Sequence, residues 1–105
     1  MGEGRMKVKC AVRGQRLIRM DRDKMQKGSR GVNTLTFSFD EEWAGLPVRV
    51  AGFKADGSDW DYYPVRDDEL LIPDDYCDQS FLVCLVGQDM VGRRQTTNSV
   101  GVEVR

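Results

Sequence analysis

Acidic side chains occur in four clusters: Asp40, Glu41 and Glu42; Asp56, Asp59 and Asp61; Asp67, Asp68 and Glu69; Asp74, Asp75 and Asp78. Two opposed carboxyls in a cleft, one with a raised pKa, suffice to hydrolyse a glycosidic bond. These acids fall in segments that read as turns, where aspartate also hydrogen-bonds the local backbone, and solvated turn residues are the commoner outcome. The chain has no histidine. That removes the usual general base, the usual zinc ligand and any Ser-His or Cys-His nucleophile pair. An enzyme is therefore not expected, and no catalytic, metal-binding or cofactor-binding residue is assigned.

Three other groupings bear on binding. Asp56, Asp59 and Asp61 could gather calcium, but DGSDWD departs from the calcium-loop pattern D-x-[DN]-x-[DN]-G, so a structural turn is the preferred role. Alternation sends Asp59 and Asp61 to one face and Trp60 to the other. Trp60, Tyr62 and Tyr63 could form a stacking platform for sugars, against the more common role of cross-strand packing in a hairpin. Arg93 and Arg94, with Lys24, Lys27 and Arg30, could meet phosphates. No RNA-binding signature accompanies them, and the pI near 5.4 places nucleic acid last among partners.

Cys10, Cys77 and Cys84 are an odd set without CxxC spacing, which suggests three free thiols rather than a disulfide framework or a metal knuckle. Cys84 lies in an apolar run and reads as a buried hydrophobe. Cys77 follows Tyr76 in an acidic turn that can expose it, although neighbouring carboxylates oppose a reactive thiolate.

The length of 105 residues allows one compact domain. With 40% hydrophobic and 31% charged residues, the chain is neither a disordered tail nor a membrane protein. The longest apolar runs, such as Phe81 to Val86, are too short to cross a bilayer as a helix. The net charge of −1 conceals a lopsided distribution. Residues 1–54 carry twelve Lys/Arg against six Asp/Glu, and residues 55–105 carry four against eleven. Such asymmetry fits a complementary partner or self-association of a basic edge with an acidic one, unless neighbouring strands neutralise it internally.

The elements that must position these groups are strands nearly throughout. Met6, Val8, Cys10 and Val12 alternate with Lys7, Lys9 and Ala11, which predicts one apolar and one mainly basic face. After Gly14, residues 15–21 form a second strand, hairpinned to the first, in which adjacent Leu17 and Ile18 mark a bulge or an edge. Arg22 to Val32, with two glycines and four cations, reads as a mobile loop. Leu35, Phe37 and Phe39 alternate with Thr34, Thr36 and Ser38 and should line the core.

Asp40-Glu41-Glu42-Trp43 predicts a capped helical turn that folds Trp43 over the core. Pro47 restarts extended chain through Val48, Val50 and Phe53, with Gly52 supplying a slip of register. Asp56-Gly57 predicts a tight turn into Trp60 to Val65. A short strand over 69–72 follows, then an apolar central strand from Phe81 to Val86, and a closing strand with Val100, Val102 and Val104 on one face. Phe37, Phe39, Trp43, Phe53, Phe81 and Leu85 are the expected core. The fold class is all-β, a sandwich in preference to a barrel, of about seven to eight short antiparallel strands with one helical turn near 40–45. Residues 1–5 are expected to form a flexible tail and 6–105 a single domain; Gly2 lacks the Ser or Thr that myristoylation requires at position 6.

The order of these features resembles a family of small structural proteins of phages and prophages of Gram-positive bacteria. The resemblance rests on Gly14-Gln15-Arg16-Leu17, on FSFDEEWAGL from Phe37 to Leu46, on Val48 to Phe53, on Asp67 to Pro73, on Phe81 to Gly87 and on TTNSVGVEV from Thr96 to Val104. It spans nearly the whole chain from Met6, and the loop from Arg22 to Val32 departs most from the pattern. It implies an immunoglobulin-like β-sandwich in a tail, baseplate or head decoration, located in the virion after synthesis in the host bacterial cytoplasm. It supplies no catalytic motif, and fold analogy alone assigns no place in the particle.

The expected function is thus non-enzymatic assembly with copies of itself or with other virion proteins, without membrane or cofactor. Lys7, Lys9 and Arg16 would face Asp59, Asp61 and Asp67 of a neighbour. Two rivals remain. A phage-encoded inhibitor or sequestering protein would act on a host enzyme or nucleotide, with Arg93, Arg94 and the 22–32 loop gripping phosphates. A carbohydrate-binding adhesion module would use Trp60 and Tyr62.

Overall fold

A computed structural model describes residues 6–21, 24–28 and 30–105. The expected tail at 1–5 lies outside the described residues, as do Arg22, Asp23 and Ser29 of the expected loop. Among the described residues nine strands form two sheets. The first sheet has the order β2-β1-β3-β6, from β1 (Lys7–Arg13), β2 (Arg16–Arg19), β3 (Thr34–Phe39) and β6 (Glu69–Leu71). The second runs β5-β4-β7-β8, from β4 (Val48–Ala55), β5 (Asp61–Pro64), β7 (Phe81–Gln88) and β8 (Arg94–Thr96), with β9 (Val100–Val102) pairing the other half of β7.

Period-two alternation sets the core. Val8, Cys10 and Val12 of β1 are buried beside Leu35 and Phe37 of β3, while Lys7 and Lys9 point outward with Thr34 and Thr36, their register partners. In the second sheet Ala51, Phe53 and Ala55 share the inner face with Leu85, Val83 and Phe81 of β7. Phe53 is the aromatic centre, with ring centroids 5.1 Å from Tyr76, 5.5 Å from Phe81 and 5.6 Å from Tyr63. Such contacts add to the area term of aromatic burial. Of the expected core, Phe39 alone is only partly buried.

The pairing of β1 with β3 is parallel, against the expected wholly antiparallel set. β2 carries the chain back to the starting end of β1, and the connection from β2 to β3 crosses that end to reach the other side of β1. That crossover is not the simple loop its composition suggests. Met25 is fully buried, its amide donates to the Glu103 carbonyl at 2.8 Å, and its carbonyl accepts from Arg105 at 2.9 Å. One apolar side chain in a polar stretch thus stitches the crossover to the C-terminal strand.

The strand β2 is an edge with no bulge, and Leu17 is buried while Ile18 is exposed because successive residues face opposite sides of the sheet. The β1–β2 hairpin turns through Gly14, whose φ of 59° favours glycine. Gly52 makes no slip. The β4 ladder to β7 is unbroken from Val48 to Ala55, which turns Val50 outward and Ala51 inward. A Cβ at Gly52 would lie 2.8 Å from Cys84 Sγ and 2.9 Å from Tyr62 Cε1, so the glycine is needed for close packing.

Among the described residues two 3-10 turns occur rather than one, at Glu41–Trp43 and Asp74–Tyr76. The second buries Tyr76 and Cys77, correcting the expected exposure of that thiol. Strand β8 is additional to the strands that alternation predicts. It is separated from β9 at Thr97 and Asn98: the Thr97 amide still donates to the Leu85 carbonyl at 3.0 Å, and side chains make the remaining bonds. Thr97 Oγ1 accepts from the Leu85 amide at 2.9 Å, while Asn98 accepts from the Leu17 amide at 2.8 Å and donates to the Leu17 carbonyl at 3.1 Å.

Candidate functional site

Most of the acidic clusters that could do chemistry are occupied in holding the fold. Asp40 caps the first 3-10 turn by accepting from Glu42 at 3.2 Å, as its position predicts, and its other oxygen accepts from Gly14 at 2.8 Å. Asp68 pairs with Arg49 and Asp78 with Arg30. Asp61 is exposed along β5, yet its carboxylate accepts from the Tyr76 hydroxyl at 2.6 Å. Burial, then that hydrogen bond and the Asp61 charge, hold the Tyr76 phenol far above its ordinary value. Among the described residues no group of three or more acidic or cysteine side chains is gathered as a metal site.

Arg49 is a residue that alternation could not single out. Its guanidinium donates to the Trp43 carbonyl at 2.6 Å and the Leu46 carbonyl at 3.0 Å, meets Asp68 at 3.3 Å, and lies 4.1 Å over the Phe39 ring. A planar fork with several donors suits this task; an ammonium does not. FSFDEEWAGL is thereby tied to β4 and to the turn before β6. The segment acts as a structural lock in this chain.

The aromatic pair Trp60 and Tyr62 sits together on the outer face of the second sheet, as alternation predicts. The two rings converge on Gly52, covering backbone that no side chain there protects. Tyr62 remains 51% exposed at the sheet edge. Tyr63 points the other way, edge-on to Phe53.

Arg93 and Arg94 stand at the far end of the same sheet. Arg93 is engaged by Asp89 at 2.6 Å, and this pairing, above the backbone hydrogen bonds from Arg93 and Val91, holds the Asp89 carboxyl below the usual carboxylate range. A small recess of about 230 Å³ beside them is lined by Glu42 and Gln95 as well as both arginines. A carboxylate in that recess works against an anionic ligand.

The charged residues expected to form an interface separate cleanly. Lys7, Lys9 and Arg16 share the outer face of the first sheet, joined by Arg13, and none of the four has an ion pair among the described residues. Internal pairing does absorb part of the charge asymmetry, through Arg30–Asp78, Arg49–Asp68 and Lys24–Glu103. Asp59 lies in the loop before β5 and Asp67 in the turn before β6; both are exposed and neither has an ion pair among the described residues. Asp67 and Asp68 adopt φ of 54° and 59°, the conformation of a tight turn in which both central residues are left-handed.

No protein-family model, curated protein or solved structure matches this chain.

Proposed function

We propose that this chain is a non-enzymatic virion structural module, an immunoglobulin-like β-sandwich of a phage tail, baseplate or head decoration. It acts by binding copies of itself or neighbouring virion proteins, after synthesis in the host bacterial cytoplasm. One observation carries the assembly reading. Lys7, Lys9, Arg13 and Arg16, cations with no ion pair among the described residues, share one sheet face with a single acid, Glu69, at its far strand, whereas Asp59 and Asp67, acids with none, lie in loops flanking β5. Fixed to different surfaces of one chain, these groups can neutralise one another between copies. Complementary charge of this kind sets register and speeds encounter.

Sedimentation velocity of the purified chain across a salt series tests the reading. Association is expected at low salt, weakening as salt rises towards physiological strength, where the screening length is about 8 Å. Replacing Asp59 and Asp67 by lysine is expected to abolish it. A wild-type chain that stays monomeric at low salt and high concentration, and that co-purifies with a host enzyme or a nucleotide instead of virion proteins, overturns the proposal in favour of a sequestering role.

A further inference from the structure

Met90 and Val91 are 85% and 86% exposed, more than any other large apolar side chain among the described residues. They form the tip of the turn that joins β7 to β8. The turn is built around one carboxylate. Asp89 Oδ1 accepts from the amides of Val91 at 3.0 Å and Arg93 at 2.7 Å, and Oδ2 accepts from the Arg93 side chain at 2.6 Å. The Asp89 amide closes the turn onto the Arg93 carbonyl at 3.0 Å. Two apolar side chains held out in water contribute nothing to the monomer, and a turn fixed in advance loses little conformational freedom on docking.

At the opposite end of β7, about 25 Å away for a strand of this length, an open groove of about 780 Å³ begins beside Phe81. Ala55, Leu82 and Val102 contribute apolar wall to it. Most of its charges are already matched within the chain, Arg19 by Asp21 and Lys24 by Glu103. Lys54 and Asp56 are the groove's cation and acid with no ion pair among the described residues, Lys54 half-buried and Asp56 exposed. Arg94, next to the tip, is the hairpin's cation without one. An apolar tip flanked by a spare cation thus meets a groove of mixed lining in which Leu82 is the exposed apolar side chain and the outward spare charge is that of Asp56.

We propose that the Asp89-to-Arg93 turn is a docking knob, and that Met90 and Val91 of one copy seat in the groove beside Phe81 of a second copy, with Arg94 facing Asp56. The contact rests on the assembly reading above and adds to its charge pairing a second contact made by other residues. Knob and groove are different surfaces at opposite ends, so the contact is head-to-tail. It repeats into a ring if the rotation closes and into a filament if it does not.

Two measurements on the full chain test this. In sedimentation velocity, the double variant Met90→Asp, Val91→Asp is expected to associate at least tenfold more weakly than wild type. In disulfide trapping, an equimolar mixture of Val91→Cys and Asp56→Cys chains is expected to give a covalent heterodimer that neither chain gives alone, since the three native thiols are buried. If wild type associates but the double variant associates equally well, or if Val91→Cys alone cross-links as fast as the mixture, the knob is overturned and the assembly reading stands. If wild type is monomeric throughout, self-assembly and knob fall together.

Discussion

The indole Nε1 of Trp43 donates to the carbonyl oxygen of Gly14 at 2.7 Å, joining the 3-10 turn after β3 to the hairpin between β1 and β2. The same glycine donates its amide to Asp40, so both of its backbone polar groups are claimed by one short segment. Trp43 is fully buried, and the space for its ring is made by Gly87, where a Cβ would lie 2.3 Å from Cζ3.

Gly87→Ala is therefore expected to destabilise the chain by roughly 1–3 kcal/mol through overpacking. Trp43→Phe is expected to cost a similar amount, about 1–3 kcal/mol, because the buried Gly14 carbonyl loses its donor. The two changes touch each other, so the double variant should lose less than the sum. Urea unfolding of the three variants measures this; strict additivity would mean that Trp43 and Gly87 are not coupled.

Arg49→Lys keeps the charge but cannot reach the Trp43 and Leu46 carbonyls and Asp68 together. A loss of about 1–3 kcal/mol is expected for the carbonyls left without donors. Asp68→Asn, which touches only the exposed arm of the fork, should change stability by less than about 1 kcal/mol. Equal losses in both variants would show the ion pair, not the carbonyl bonds, to be what Arg49 contributes.

The thiols give a pH dependence. Burial pushes Cys10 up from 9.0 to about 11, with Arg19 opposing and Asp21 adding to the rise. Burial also raises Cys77, helped by Asp74, and Cys84. A thiol raised by folding keeps its proton in the native state and loses it first in the unfolded chain. Its contribution to stability is complete below pH 9.0 and is lost as pH climbs towards about 11. Melting temperature should fall over that interval, and a colorimetric thiol reagent at pH 8 should find three reactive groups only after denaturant is added. Rapid labelling of the native chain would contradict the burial of Cys77 in particular.

Asp67 occupies a left-handed position without being glycine or asparagine. Asp67→Gly is expected to stabilise the chain by up to about 1 kcal/mol, since an L side chain there costs roughly that much. The same substitution removes one of the unpaired acids, so thermal stability should rise while low-salt association weakens. A parallel change in both would dissociate Asp67 from the interface.

Alternation made β1, β3 and the basic outer face legible from the sequence, because a half-buried strand writes its two faces at every second residue. It also placed Trp60 and Tyr62 together. It failed at Gly52, where the reason for glycine is three side chains from other positions converging on one backbone site. It failed likewise for Met25, a single apolar residue whose burial depends on where the C-terminal strand passes. Arg49 left no local trace, since its partners are carbonyls and a ring contributed by the segments it closes. The separation of β8 from β9 was hidden in Thr97 and Asn98, whose side chains imitate backbone.

That imitation has a consequence for how copies can meet. The primary amide of Asn98 occupies both the donor and the acceptor of Leu17 on the outermost strand of the first sheet. A foreign strand arriving at that rim finds its central rung already taken, so growth by endless sheet extension is discouraged there. Copies that meet at that rim do so through side chains, which leaves the contact reversible and the hydrogen-bonded framework of the first sheet its own.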